Sequence, residues 1–334
     1  MIVSSLLLVF LLSSLCGFSA RRGTICLVRA VSEVVAGKPA KTLIFIVEAV
    51  TIALAVTIPV FLFFPDYVQL AASYRISPFL FFGALIYGVG VTINGGCAFG
   101  TLNHLMSGNI NYSGTLLGMV MGFYLFQMTG AATVIDPVPQ SSDAFQNTPF
   151  LILILFLSWI VIIIHGKKFL DSGIQRKLRQ FINAPIARDF IAVSLLGISS
   201  GLLFLMFGHS WDYTHWIQMS AKILAGDEEG GGIYLSLSIA TAGALLGIFV
   251  ATLLSRSFRW FAIELKMFAI RVVAGLLMGI GASLIPGGND TLIIYGLPGI
   301  AVYAPVAIFI IMVTIALILK LNSKNLFPLV WKEQ

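Results

Sequence analysis

The chain has 334 residues, of which 58% are hydrophobic and only 10% charged, with 20 Lys and Arg against 14 Asp and Glu for a formal net charge of +6. Soluble domains carry about 25% charged residues, so there are too few charges here to coat a water-facing surface and a soluble globular fold is excluded. The apolar runs continue for about 20 residues instead of alternating over about ten, which selects membrane-spanning helices over a transmembrane barrel. Three cysteines, an odd number in a lipid-embedded chain, argue against a disulfide framework.

In chain order, apolar stretches predict nine spans near 2–20, 42–64, 77–93, 112–135, 149–165, 189–208, 232–254, 268–285 and 301–320. The first has no positively charged n-region and no convincing small-residue cleavage site, so it reads as a span and not as a signal peptide. Basic residues then give the direction. Five fall in 21–41, six in 166–188, four in 255–271 and three in 320–334, leaving only Arg75 and Lys222 elsewhere. The positive-inside rule assigns all four clusters to the cytoplasm. Nine alternating spans satisfy this with the N-terminus outside and the C-terminus cytoplasmic in a plasma (inner) membrane. The stretch from Lys167 through Arg179 reads as a basic cytoplasmic connector in contact with anionic lipid.

Two segments resemble each other. An offset of 192 superposes Gly83 on Gly275, Gly95 on Gly287 and Gly96 on Gly288, and a weaker match at offset 189 sets 32–37 against 221–226. The expected fold is therefore all-α, with about nine transmembrane helices in two inverted repeats of four. Residues 1–148 form the first repeat, 149–188 a linker helix with the basic connector, and 189–334 the second. An odd linker span inverts the second copy, and such repeats place a solute site at their interface near the bilayer midplane. The glycine motifs lie in nearly uncharged gaps, near 94–111 and 286–299. Re-entrant half-helix loops fit these gaps better than aqueous loops, since irregular backbone survives at that depth only inside protein or beside a water-filled cavity.

In Gly95-Gly96-Cys97, two residues without Cβ atoms let backbone N–H groups approach a ligand closely. A half-helix starting there presents unpaired N–H groups and a positive dipole end to an anion. Cys97 adds a neutral, polarizable thiol. The plainer alternative is a tight turn with a small buried Cys. Its counterpart is Gly287-Gly288-Asn289-Asp290 after Pro286, in which Asn289 donates from its amide and Asp290 either faces the solute or caps a half-helix. Cys26 follows Arg21 and Arg22, which attract anions or act only as positive-inside anchors; at offset 189 it pairs with His215. His209 and His215 lack a third partner, so no metal site is expected. Glu48, the one carboxylate inside a continuous span, is a candidate for proton coupling or a snorkelling side chain. Gly118/Gly122, Gly243/Gly247 and Gly275/Gly279 read as helix-packing faces.

At these motifs the sequence resembles the YeeE/YedE family of sulphur transport proteins. The resemblance rests on Arg21-Arg-Gly-Thr-Ile-Cys26, on Asn94-Gly-Gly-Cys-Ala-Phe-Gly100, and on Pro286-Gly-Gly-Asn-Asp-Thr291 with Gly296-Leu-Pro298. It implies inner-membrane uptake of thiosulfate or a related sulfur compound. It also implies cysteines that hand the ion inward through S–H···S contacts, with Cys26 and Cys97 matching two such positions. Asn289 stands where the family pattern has a third cysteine, which leaves another small solute open. Some members work beside a small cytoplasmic sulfur-relay protein.

The expected function is import of a small sulfur-containing anion, with no cofactor, metal or nucleic acid. The rival readings are an intramembrane enzyme of sulfur metabolism and a non-transporting membrane subunit. The chain contains no P-loop motif, and Gly197-Ile-Ser199-Ser200-Gly201 lies in an apolar helical pattern instead of the strand–turn–helix setting its catalytic version needs.

Overall fold

The computed structural model describes residues 2–64, 70–129, 137–138, 148–173, 185–226 and 231–322. The expected basic connector lies largely outside them. A helix occupies each of the nine apolar stretches, and four shorter helices intervene. In order these are α1 (Ile2–Arg22), α2 (Leu27–Val35), α3 (Lys41–Phe63), α4 (Pro78–Asn94), α5 (Ala98–Met106) and α6 (Ser113–Met128). Then come α7 (Thr148–Gly173), α8 (Pro185–Phe207), α9 (Tyr213–Leu224), α10 (Gly231–Leu254), α11 (Leu265–Leu284), α12 (Asn289–Thr291, continued by a π-turn over Leu292–Gly296) and α13 (Tyr303–Asn322). The two short strands β1 (Ser73–Tyr74) and β2 (Pro137–Val138) pair antiparallel.

Seven segments are long and apolar enough to cross a membrane: 5–35, 41–63, 78–106, 189–207, 233–254, 265–284 and 303–322. The chain is a multi-pass, all-α membrane protein. Its outward faces agree, since large apolar side chains such as Phe63, Leu125, Leu254 and Phe309 stand exposed where no protein covers them. Helix α6 is only 16 residues long, and the described apolar part of α7 spans 151–163.

The order long, short, long, long, short, long occurs twice, once in α1–α6 and once in α8–α13. The packing has the same regularity. Helix α6 packs on α11 as α13 packs on α4, α1 on α10 as α8 on α3, and α2 on α13 as α9 on α6, while α1 meets α8 and α4 meets α11. Helix α7 leans on α3 and α8.

Glycine sets the closest approaches. Gly118 and Gly122 of α6 lie against the backbone of Val272, Leu276 and Gly279, and Gly275 and Gly279 of α11 lie against Thr115 and Met119. Any Cβ at these four positions would collide with backbone, so the two helices touch main chain to main chain, as small residues allow in lipid. Gly243 and Gly247 of α10 meet Phe10, Ser13 and Ser14 of α1 in the same way.

Candidate functional site

All four short helices begin deep in the protein. Residues 95–97 turn the chain sharply between α4 and α5, with Gly95 in the left-handed region at φ 69° and Cys97 as the extended N-cap residue of α5. Asn94 fastens the turn. Its amide nitrogen donates to the Gly96 carbonyl (2.7 Å) and the Thr101 hydroxyl (2.8 Å), and its carbonyl accepts from Thr115 Oγ1 (2.7 Å). The second turn follows the same plan, with Gly287 at φ 132° and Gly288 as the extended N-cap of α12. Gly288 N–H donates to Thr291 Oγ1 (3.1 Å).

The two glycine motifs meet. Asn289 Oδ1 accepts from Ala98 N (3.0 Å), the first helical N–H of α5, and from Tyr87 Oη (2.8 Å). These two donors fix the amide, which leaves Asn289 Nδ2 buried and without a partner. Tyr213 Oη donates to the Ala98 carbonyl (3.0 Å). Cys97 is fully buried at 0% exposure, and its Sγ accepts from Leu27 N (3.3 Å) at the start of α2. Cys26, the half-buried N-cap residue of α2, has its thiol on the same side as that of Cys97, both against Gly100. Gly100 leaves room for both sulfurs, since a Cβ there would stand 3.1 Å from Cys26 Sγ and 4.0 Å from Cys97 Sγ. All three cysteines are free thiols.

The start of α9 completes the group, and here one expectation needs correcting. Its N-cap is Asp212, so Asp212 and not His215 occupies the position equivalent to Cys26. Asp212 Oδ1 accepts from His215 N (3.0 Å) and Thr291 Oγ1 (2.8 Å). Asp290 accepts from Thr214 N (3.2 Å) and Thr214 Oγ1 (2.7 Å), so it caps the neighbouring helix α9 rather than its own. Four helix starts thus converge, and each N-terminus carries the partial positive charge of unpaired N–H groups. Side-chain sulfur and oxygen atoms occupy some of those donors.

On the side of Arg21, a cavity of about 250 Å³ reaches Cys26, Gly95 and Gly100 and is walled by Arg21, Arg29, His104 and Arg271. That is smaller than the roughly 300–1,000 Å³ of drug-sized ligand sites and suits a small ion. On the side of Asp212 and Asp290 the space is about 30 Å³ and mostly apolar.

The remaining expectations fall elsewhere. Glu48 lines a separate cleft among α3, α7 and α8 with Trp159 and Ile198, away from the thiols. His209 and His215 have ring centroids 6.3 Å apart, and no metal-binding cluster occurs among the described residues. Ser199 and Ser200 donate back to Leu196 and Gly197 carbonyls within α8, so neither hydroxyl is presented as a nucleophile. Tyr87, Tyr213, Asp212 and Arg271 belong to the site, and sequence reasoning missed them. The tyrosines carry no local signal, and in the sequence Arg271 counts only as one of the four basic residues of 255–271.

No curated protein matches the chain. A family model described as sulphur transport matches residues 22–317, which includes both glycine turns, both central cysteines and all four short helices. The chain therefore belongs to the sulphur transport family, a family of membrane transporters.

Proposed function

We propose that the protein imports a small sulfur-containing anion, thiosulfate or a close relative, across the inner membrane through the junction of its four short helices. The observation that carries this reading is the placement of Cys97. Its sulfur sits on the first N–H of α2, beside the first N–H of α5, and lies with Cys26 Sγ against Gly100, and Cys26 opens on the cation-walled cavity. A passing anion takes over the N–H groups that Cys97 Sγ and Asn289 Oδ1 now occupy, and finds a free donor in Asn289 Nδ2. A thiol is a weak, neutral partner, so the anion is held without a fixed countercharge and moves on to Cys26. Gly96, Gly287 and Gly288 let the two turns pack closely against Gly100, Thr291 and Thr214, Gly95 supplies the left-handed bend, and Asp290 holds α9 in register.

In this reading the nine long helices are spans. Residues 1–148 and 189–334 are inverted repeats joined by 149–188, and the segments near 94–111 and 286–299 are re-entrant loops entering from opposite faces. The paired packing of α1–α6 and α8–α13 supports the repeat. Crowding of 104–112 against the basic loop 256–264 supports a common face for them, since Arg259 N donates to the Ser107 carbonyl (2.9 Å) and Glu264 N to Asn111 Oδ1 (2.9 Å). That face is cytoplasmic by the positive-inside rule, with the N-terminus outside and a small sulfur-relay protein as the receiving partner.

The test is uptake of radiolabelled thiosulfate into liposomes holding only this protein, with sulfite, sulfate and selenite as competitors. Saturable accumulation or equilibration, reduced most by the preferred anion, is expected. Product formation without movement of label would replace the transporter by an intramembrane enzyme.

A further inference from the structure

We propose that the cavity on the Arg21 side holds a binding site for a small tetrahedral oxyanion, seated on the buried guanidinium of Arg271 and distinct from the thiol pair above it. Arg271 is the seventh residue of α11, about 9 Å along the axis from the helix start at 1.5 Å per residue. Its side chain is 1% exposed, and Nε and Nη1 have no hydrogen-bond partner. Neither ion pair among the described residues, Arg29–Glu33 and Lys41–Asp189, involves it. Taking a guanidinium out of water without a paired charge is costly, and charged residues inside a span are functional by default.

What holds Arg271 is an aromatic wall. Its guanidinium carbon lies 4.0 Å from the centroid of the Tyr112 ring, and the His104 ring stacks on the same tyrosine at 4.5 Å with planes 9° apart. Stacking orients the guanidinium and recovers part of the desolvation cost, yet it leaves Nε and Nη1 without a hydrogen-bond partner. A guanidinium with unpartnered N–H donors matches the oxygens of a sulfate-like anion. The cavity supplies the rest of the setting. Arg21, His104 and Cys26 line it, and no carboxylate among the described residues does. Asn103 also lines it with an unpartnered Oδ1, and rotating that amide by half a turn presents its N–H groups instead.

The site deepens the transport reading by giving the anion a resting place after Cys26, and it rests on that reading for the direction of traffic alone. A dianionic oxyanion is preferred over a neutral solute, and thiosulfate and sulfate share the chemistry required.

Calorimetric titration of sodium thiosulfate and of sodium sulfate into the detergent-solubilised full chain tests the proposal. Wild type is expected to bind at least one of them saturably, with Arg271→Gln weakening binding by about ten-fold or more. Arg271→Lys keeps the charge without the fork and is expected to lie between the two. It also serves if Arg271→Gln does not fold. Unchanged affinity in a folded Arg271 variant, or no saturable binding by wild type, overturns the site. Liposome uptake separates the two readings. Wild-type uptake with Arg271-independent binding sinks the site and keeps the transporter, whereas Arg271-dependent binding without uptake does the reverse.

Discussion

The two glycine turns occupy equivalent places and differ in the atom they offer to the neighbouring helix. At the first, Leu27 N at the start of α2 donates to a thiol, Cys97 Sγ, over 3.3 Å. At the second, Thr214 N near the start of α9 donates to a carboxylate, Asp290 Oδ2, over 3.2 Å, and the Thr214 hydroxyl adds a second bond. Sulfur is a weak acceptor, whereas a carboxylate that accepts from a helix N-terminus is a strong cap. One junction is therefore easily displaced and the other is fastened. The adjoining space differs in step, about 250 Å³ with cationic walls beside the thiols and about 30 Å³ beside the carboxylates. On the proposed reading, the same backbone plan yields one contact for a ligand to take over and one that holds the frame.

The sharpest way to break this comparison is to exchange the roles by mutation. Cys97→Ala is expected to reduce liposome uptake to the protein-free background while expression and membrane insertion are kept. Wild-type uptake by this variant would remove the thiol from the mechanism. Asp290→Ala is expected to act first on stability, because it strands the buried N–H and hydroxyl of Thr214 at about 1–3 kcal/mol each. A thermal-unfolding scan of the purified protein checks this, and an unchanged midpoint would contradict the fastened role. Cys26→Ala is expected to lower uptake about ten-fold, a loss of about 1.4 kcal/mol, since the cavity and its cations remain. Full activity would reduce Cys26 to a structural residue. Glu48→Gln carries the smallest expected effect. Its cleft is separate from the thiols, and if Glu48 couples transport to protons, uptake measured across pH is expected to show a displaced profile with the maximal rate kept. Coincident profiles would withdraw the coupling role.

The apolar stretches and the packing glycines were legible because lipid imposes them locally: a run of side chains either fits hydrocarbon or does not. Both glycine turns and the central cysteines were legible for a related reason, since irregular backbone at depth needs Gly and leaves a composition mark. Registration between the halves was not. The starts of α2 and α9, at 27 and 213, lie 186 residues apart, while those of α5 and α12, at 98 and 289, lie 191 apart. No single offset fits both, which is why the match at 189 paired Cys26 with His215 instead of Asp212. Arg271 was hidden differently. In the sequence it counts as one of four basic residues that mark a cytoplasmic loop, but the fold turns it inward beneath Tyr112. Tyr87 and Tyr213 reach the site from opposite halves of the chain, a relation that exists only after folding.

The seam of glycines between α6 and α11 has a mechanical consequence. With Gly118, Gly122, Gly275 and Gly279 in main-chain contact, each half of the molecule is welded to the other along a line with no side chains to slide or re-pack. Rocking of one bundle against its twin, a common way for transporters to alternate access, would have to part that weld.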